Sequence, residues 1–173
     1  EKGSPAKNST YVRNTVDELI RWGRVNKYFG ADIETGGPNN LYSPILCLGI
    51  AFDQGQVAIL TDRLLRHHAE ELQPLFRDPT IRWVWHNGKY DTGYLHAAGF
   101  PDARVDEDCM LLHYALEEAK GTHGLKQLAM SYLGADHYDA EVRKKARHVK
   151  TKGYSDVPRQ ILYPYCAKDC DYT

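Results

Sequence analysis

The 173-residue chain lacks several features that mark specialised classes of protein. No apolar run approaches the roughly 20 residues that a membrane-spanning helix needs, and the N-terminus lacks the charged and then apolar segments of a signal peptide. An excess of positive charge is also missing, because the formal net charge is −1. We therefore expect a soluble, intracellular protein with no membrane partner, in which any surface for an anionic ligand must be local.

The four cysteines show no C-x-x-C pair and no dense framework of the kind that disulfide-bonded domains carry. Reduced and mostly buried thiols are the expected state. Cys166 and Cys170 would share one face of a helix, which leaves a zinc site open, but no nearby residues complete four ligands at a familiar spacing. We favour free thiols.

The composition indicates one ordinary globular domain. Hydrophobic residues make up 42% and charged residues 26% of the chain, which is long enough to bury one core. Residues 1–10 are small and polar, and we expect them to be a flexible lead to a domain that spans residues 11–173. Thr15 and Glu18 have the spacing of a capping box and predict a short amphipathic helix.

Strands are predicted for the first half of the chain. Residues 28–33, 45–52 and 57–60 are strand-like, and a polar turn joins the last two into an antiparallel meander. Residues 62–76 are a helical candidate. Residues 81–85 are rich in β-branched and aromatic side chains, and they predict a strand that the chain reaches by a crossover.

The remainder of the chain is predicted to be mostly helical. Apolar residues recur with helical period between Leu125 and Leu133. Together the elements predict an α/β fold, in which helices flank a mixed sheet with an antiparallel meander and parallel strands.

Three short segments carry side chains that suit metal or acid–base chemistry. In the first, Asp32 and Glu34 stand two residues apart at the end of a predicted strand, so strand alternation turns both carboxylates to one face. A solvated strand end before the turn at residues 36–38 explains the pair equally well. Alone, this pair is a weak signal.

The other two segments lie on predicted helices. Asn87 and Asp91 stand four residues apart at a helix start and share one face, although Asn87 as a cap and Asp91 near the positive helix end would be ordinary. Tyr165 and Asp169 have the same spacing, where a core tyrosine and a surface acid would also be ordinary. Each alternative is reasonable by itself, but three such segments in this order indicate one site.

In combination, the segments resemble the three exonuclease motifs of the DEDD superfamily, which has a ribonuclease H-like fold. They are most similar to the proofreading domain of family A DNA polymerases: Asp-Ile-Glu-Thr at 32–35, Asn-x-Lys-x-Asp at 87–91 and Tyr-x-x-x-Asp at 165–169. Residues 108–111, Asp-Cys-Met-Leu, resemble the family's Asp-Thr-Met-Leu, with cysteine in place of the usual threonine. The histidine branch needs histidine at position 164, where this chain has proline, so the resemblance is to the tyrosine branch.

The resemblance implies a 3′-5′ exonuclease that uses two divalent metal ions, Mg²⁺ or Mn²⁺. Such hard cations prefer carboxylate ligands, and they would neutralise the mutual repulsion of clustered acids. The implied metal ligands are Asp32, Glu34, Asp91 and Asp169, with Asp32 bridging the two ions. Tyr165 is implied to orient the attacking water.

The expected substrate is the single-stranded 3′ end of DNA. The resemblance implies that the backbone of Thr35 and the side chain of Asn87 place the terminal nucleotide. A basic run at residues 143–152 also predicts contacts with backbone phosphates, although a charge run is more often a solvated face. The candidate phosphate contacts are Arg143, Lys144, Lys145 and Arg147.

Two alternatives stay open at this point. A ribonuclease D-like exoribonuclease would share the same acids and tyrosine, and the sequence does not reveal recognition of a ribose 2′-hydroxyl. A catalytically silent nucleic-acid-binding module would typically have lost acids that this chain keeps. The resemblance further implies a polymerase domain in the same parent chain, a truncation within the last helix, and a location in the cytoplasm or nucleoid of a bacterium or phage-infected cell.

Overall fold

The computed structural model of the chain describes residues 10–12, 16–146 and 153–173. The described strands are β1 (Thr10–Val12), β2 (Tyr28–Thr35), β3 (Ile45–Asp53), β4 (Gln56–Thr61), β5 (Arg82–Trp85) and β6 (Glu107–Asp108). The described helices are α1 (Val16–Val25), α2 (Asp62–His67), α3 (Ala69–Arg77), α4 (Gly88–Ala97), α5 (Cys109–Leu116), α6 (Leu125–Leu128), α7 (Ala140–Lys145) and α8 (Arg159–Tyr172). A π-helical segment, Ala129–Leu133, continues α6.

The described strands form one mixed sheet in the order β1-β4-β3-β2-β5-β6. Strands β2, β3 and β4 are an antiparallel meander. Strand β1 runs parallel to β4, and β5 runs parallel to both β2 and β6. The predicted combination of a meander with parallel strands, flanked by helices, is therefore confirmed.

The sheet separates two apolar layers, because successive side chains of a strand point to opposite faces. On one face, Leu48 of β3 and Trp83 of β5 belong to a core that α1, α2, α3 and α4 cover. On the other face, Cys47 of β3 and Val57 of β4 pack against α8. Helix α8, which carries the third predicted motif, thus lies directly on the central strands.

Glycine residues allow α8 to approach the sheet closely. A Cβ atom added at Gly30 of β2 would lie 2.7 Å from the carbonyl oxygen of Cys170, and one at Gly49 of β3 would lie 2.3 Å from the Cys170 sulfur. Larger residues at these positions would therefore push the helix away from the strands. The close contact brings the third motif beside the strand that ends in the first.

Several local predictions need correction or lie outside the described residues. The helix predicted over residues 62–76 is two helices that meet at His68, whose backbone leaves helical geometry. The helix predicted around Leu125 becomes π-helical, and Tyr132 and Leu133 on its apolar stripe are exposed rather than buried. Residues 1–9 and Thr15 are not described, and Thr10, assigned to the flexible lead, begins β1.

The thiols are free, as predicted, and Cys47, Cys166 and Cys170 are buried while Cys109 is half-buried. None of the described helices is long and apolar enough to cross a membrane.

Candidate active site

The first predicted motif lies at the C-terminal end of β2, in the middle of the sheet. Glu34 is buried and Asp32 is half-buried. Ligand atoms of Asp32, Glu34 and the Cys166 thiol all lie within 4.8 Å of one another, so both carboxylates face α8. The pairing of β2 with β3 shifts register between Glu34 and Thr35, which ends the regular ladder next to the acids.

The second motif is tied to the first by a backbone hydrogen bond. Asp91 in the first turn of α4 is 4% exposed, and its Oδ1 accepts a hydrogen bond from the N–H of Ile33 at 3.1 Å. Ile33 stands between Asp32 and Glu34 in the sequence. This single bond therefore fixes the carboxylate of α4 against the strand that carries the first two acids.

Asn87 occupies the turn before α4 in an uncommon conformation. Its φ of 63° lies in the left-handed region, which residues other than glycine seldom adopt. The buried carboxylate of Asp108 holds this turn by accepting hydrogen bonds from the N–H groups of Asn87 and Gly88, at 3.1 and 2.9 Å. The Asn87 side chain does not cap α4, so the ordinary capping explanation fails, and it is exposed at the cleft.

The third motif lies on α8, and its two side chains face the same cleft. Tyr165 is 7% exposed and Asp169 is 3% exposed. Asp171, two residues further along, accepts a hydrogen bond from the N–H of Gly55 at 2.7 Å and so braces the turn between β3 and β4. The structure therefore separates Asp169, which belongs to the cleft, from Asp171, which does not line it.

One cleft of about 260 Å³ brings the motifs together. It contains the four acids implied as metal ligands, together with Tyr165 and Asn87. The cleft is lined by Asp32, Ile33, Glu34, His86, Asn87, Tyr90, Asp91, Leu125, Lys126, Tyr154, Tyr165 and Asp169.

Crowding in this cleft makes Asp32, Glu34 and Asp91 resist ionisation. Burial, and then repulsion by Asp169 and Asp91, raises the pKa of Asp32 well above its usual range. Burial and the charge of Asp32 do the same to the pKa of Glu34, and burial raises the pKa of Asp91 to about 7. A divalent cation would relieve both causes, so this set of hard oxygen donors fits Mg²⁺ or Mn²⁺.

Tyr165 keeps its proton at neutral pH. Burial, followed by the negative charges of Asp169 and Glu34, raises the pKa of its hydroxyl above the ordinary value. The hydroxyl can therefore donate a hydrogen bond, but it is poorly suited to accept a proton as a general base.

Three further residues at the site escaped the sequence analysis. The Nζ of Lys126 lies 2.5 Å from Oδ2 of Asp169, and the Tyr138 hydroxyl donates to Oδ1 of Asp169 at 2.5 Å. The ring of Tyr154 lies 5.8 Å from that of Tyr165. The sequence offers one signal for Lys126, because clustered acids need a counter-charge, but that signal does not select among the lysines.

The remaining predicted contacts that the structure describes, Thr35 and the basic residues of α7, are not among the residues that line this cleft. Thr35 is buried, and its Oγ1 donates to the carbonyl oxygen of Gly37 at 3.0 Å, so its hydroxyl is engaged within the fold. Lys144 and Lys145 are exposed on α7. Arg143 on the same helix forms an ion pair with Asp139, and Arg147 lies outside the described residues.

Comparisons with known proteins agree with this arrangement. A family described as "3′-5′ exonuclease" matches residues 11–173. A DNA polymerase of Escherichia phage T5 is 39% identical over 101 residues, which are 54% of this chain and 12% of that protein. DNA polymerase I of Treponema pallidum is 32% identical over 107 residues, which are 60% of this chain and 10% of that protein. The matched part is thus about a tenth of the length of these curated relatives.

Solved structures share the fold at low sequence identity. Ribonuclease D of Escherichia coli superimposes with a TM-score of 0.71 and 16% identity, over 95% of this chain and 42% of that chain. The ribonuclease H-like fold is therefore shared beyond the polymerases. With nearly its whole length matched by the exonuclease family and polymerases among its relatives, the chain belongs to the metal-dependent 3′-5′ exonuclease family of DNA polymerase I-like proteins.

Proposed function

We propose that the chain hydrolyses single-stranded DNA from its 3′ end and releases nucleoside 5′-monophosphates. The reaction uses two divalent ions, Mg²⁺ or Mn²⁺. The observation that supports this proposal best is the convergence of four carboxylates from β2, α4 and α8 on one cleft, where burial and mutual repulsion raise the pKa of Asp32 and Glu34. The metal ligands in this proposal are Asp32, Glu34, Asp91 and Asp169.

The carboxylates divide between the two ions. Asp32, Glu34 and Asp169 would hold one, and Asp32 and Asp91 would hold the other. When bound, the ions stabilise negative charge on the attacking and leaving oxygens of the phosphodiester. Tyr165, which stays protonated, would donate a hydrogen bond that orients the attacking water.

Recognition of the DNA end falls to residues at the rim of the cleft. The exposed side chain of Asn87 and the backbone of Thr35 would place the terminal nucleotide.

The setting of the activity is proofreading beside a polymerase domain in the same parent chain. The support is that both relatives are DNA polymerases of which the matched segment is a small part. Removal of a mispaired 3′ terminus, which frays easily, is the use that such a neighbour would make of this cleft.

The test is digestion of end-labelled single-stranded DNA by the 173-residue chain, with Mg²⁺, with Mn²⁺ and with a chelator. We expect mononucleotides to be released from the 3′ end in either metal and not in the chelator. Asp32→Ala and Asp91→Ala serve as inactive controls. Hydrolysis that continues in the chelator or in these variants would contradict the proposal.

A ribonuclease D-like activity on RNA is the second candidate, and the structural similarity to ribonuclease D over 95% of this chain favours it. The two candidates share the acids and the tyrosine, so they differ only in their contacts with the sugar. Parallel digestion of DNA and RNA oligonucleotides of the same sequence separates them. Faster release of ribonucleotides would replace the DNA proposal.

A further inference from the structure

Both carboxylate oxygens of Asp169 have side-chain partners among the described residues. Lys126 donates to Oδ2 and Tyr138 donates to Oδ1, each at 2.5 Å. The side chain of Asp169 is 4% exposed and that of Lys126 is 28% exposed, so the ion pair is largely shielded from water. Such a pair is stronger than one at the surface.

The surroundings of Lys126 suit a cation in this position. Its Nζ lies 4.6 Å from the centre of the Tyr165 ring and 5.7 Å from that of Tyr138, within cation–π range of both. Lys126 also lines the cleft that Asp169 shares with Asp32, Glu34 and Asp91. The lysine thus places a positive charge among clustered carboxylates that repel one another.

A divalent ion bound to Asp169 would lie close to the ammonium group of Lys126. The ammonium lies within hydrogen-bonding distance of a carboxylate oxygen that the proposed function assigns to a metal, and two cations so close together repel strongly. The stem of Lys126 is flexible, because its four carbons rotate freely. The ammonium can therefore leave Asp169 without movement of α6.

We propose that Lys126 is a resident counter-cation that occupies Asp169 in the absence of metal, leaves it when a divalent ion binds, and so lowers the affinity of the site for metal. This inference rests on the proposed function, since it takes Asp169 as a metal ligand. Lys126 is a positioning residue, because it acts through Asp169. Its presence keeps the metal-free fold stable, and its departure is part of loading the site.

The test is calorimetric titration of the 173-residue chain with Mn²⁺, without nucleic acid. Lys126→Met keeps the length of the side chain and removes its charge, and we expect it to lower the dissociation constant for Mn²⁺ about tenfold. Lys126→Arg keeps the charge and should return the constant to near the wild-type value. Lys120→Met removes an exposed lysine as a matched control and should change nothing.

A second measurement uses the wild-type chain and does not depend on the folding of a variant. Acylation of lysines by an amine-reactive ester, read by mass spectrometry, reports how free each ammonium is. We expect Mn²⁺ to increase the labelling of Lys126 several-fold relative to Lys120. Unchanged or reduced labelling of Lys126 would overturn the inference.

The two proposals fail in different ways. If the wild-type chain does not bind Mn²⁺, or if Asp169→Asn binds it as well as wild type, the proposed ligands are wrong and the inference falls with them. If Asp169→Asn weakens binding but Lys126→Met binds Mn²⁺ equally or more weakly than wild type, the ligands stand and the role of Lys126 is overturned.

Discussion

The two sides of the cleft hold their acids by different means. On one side, Asp32 and Glu34 are part of a central strand, and Asp91 is tied to that strand by the backbone N–H of Ile33. On the other side, Asp169 is held by the side chains of Lys126 and Tyr138. The first side is fixed by the backbone, whereas the second depends on groups that can rotate.

This difference separates two tasks of one site. A backbone hydrogen bond inside a sheet keeps its geometry, so the strand side can form a platform before any ligand arrives. Side chains can exchange partners at little cost to the fold, so the helix side can respond to an incoming cation. The backbone-held side thus comprises Asp32, Glu34 and Asp91, and the side-chain-held side comprises Asp169.

Catalysis should depend on both sides, and this is the largest expected effect. Asp91→Asn and Asp169→Asn each remove one negative charge from the proposed metal site. We expect each to lower the rate of mononucleotide release on the order of 10³-fold, because charge stabilisation by the ions would be lost. Initial rates on end-labelled DNA measure this, with Lys120→Met as the active control. Near-normal activity in either variant would show that the substituted acid is not part of the catalytic site.

Stability should distinguish the two sides. Asp91→Ala leaves the buried N–H of Ile33 without an acceptor, whereas Asp91→Asn keeps one, so Ala should be less stable than Asn by about 1–3 kcal/mol. Asp169→Ala and Asp169→Asn should differ less in stability, because Lys126 and Tyr138 can turn towards water. Urea unfolding of the four variants in chelator measures both differences. If the Ala and Asn variants differ in free energy of unfolding by the same amount at both positions, the two acids are not held by different means.

The pH dependence of stability in the absence of metal should reveal the raised pKa of Asp91 on the backbone-held side. The pKa of Asp91 is about 7 in the fold, whereas that of an unfolded aspartate is near 4. Because the folded value is higher, this contribution to stability is complete below about pH 4 and is lost as the pH rises through 7.

We therefore expect the Tm in chelator to fall by roughly 5 °C between pH 5 and pH 8, an effect on the order of 2 kcal/mol. Asp91→Asn cannot ionise and should show a flatter profile. A Tm that rises over this range, or a variant profile parallel to wild type, would contradict the raised pKa.

The smallest expected effect concerns α7, which follows the segment that supplies Lys126 and Tyr138. Lys144 and Lys145 are exposed there, whereas Arg143 is already paired with Asp139. Reversing both lysines to glutamate should weaken binding of single-stranded DNA about threefold to tenfold at low salt and flatten the salt dependence. Lys120→Glu is the control for total charge. Unchanged affinity and salt slope would show that the basic run is only a solvated face.

The sequence predicted the backbone-held side well, for a physical reason. Alternation along a strand turns Asp32 and Glu34 to one face, and helical spacing does the same for Asn87 and Asp91. Both are local rules that the chain obeys wherever the element forms. The mixed sheet could be predicted from the same periodicities.

The side chains that hold Asp169 could not be predicted, because they reach it through contacts between residues far apart in the chain. Lys126 meets an acid 43 residues away, and Tyr138 meets the same acid from 31 residues away. Asp108 fits the family pattern, but its role as a brace for the turn at Asn87 emerges only when β5 and β6 pair. Spacing along the sequence does not show which distant residues come into contact in the fold.

The most direct test of the account is a crystal of the 173-residue chain grown with Mn²⁺ and measured at the manganese absorption edge. We predict anomalous peaks in the cleft, bound by the carboxylates of Asp32, Glu34, Asp91 and Asp169, with Nζ of Lys126 withdrawn from Asp169. A cleft without a peak, or a metal bound elsewhere while these acids keep their present partners, would contradict the account.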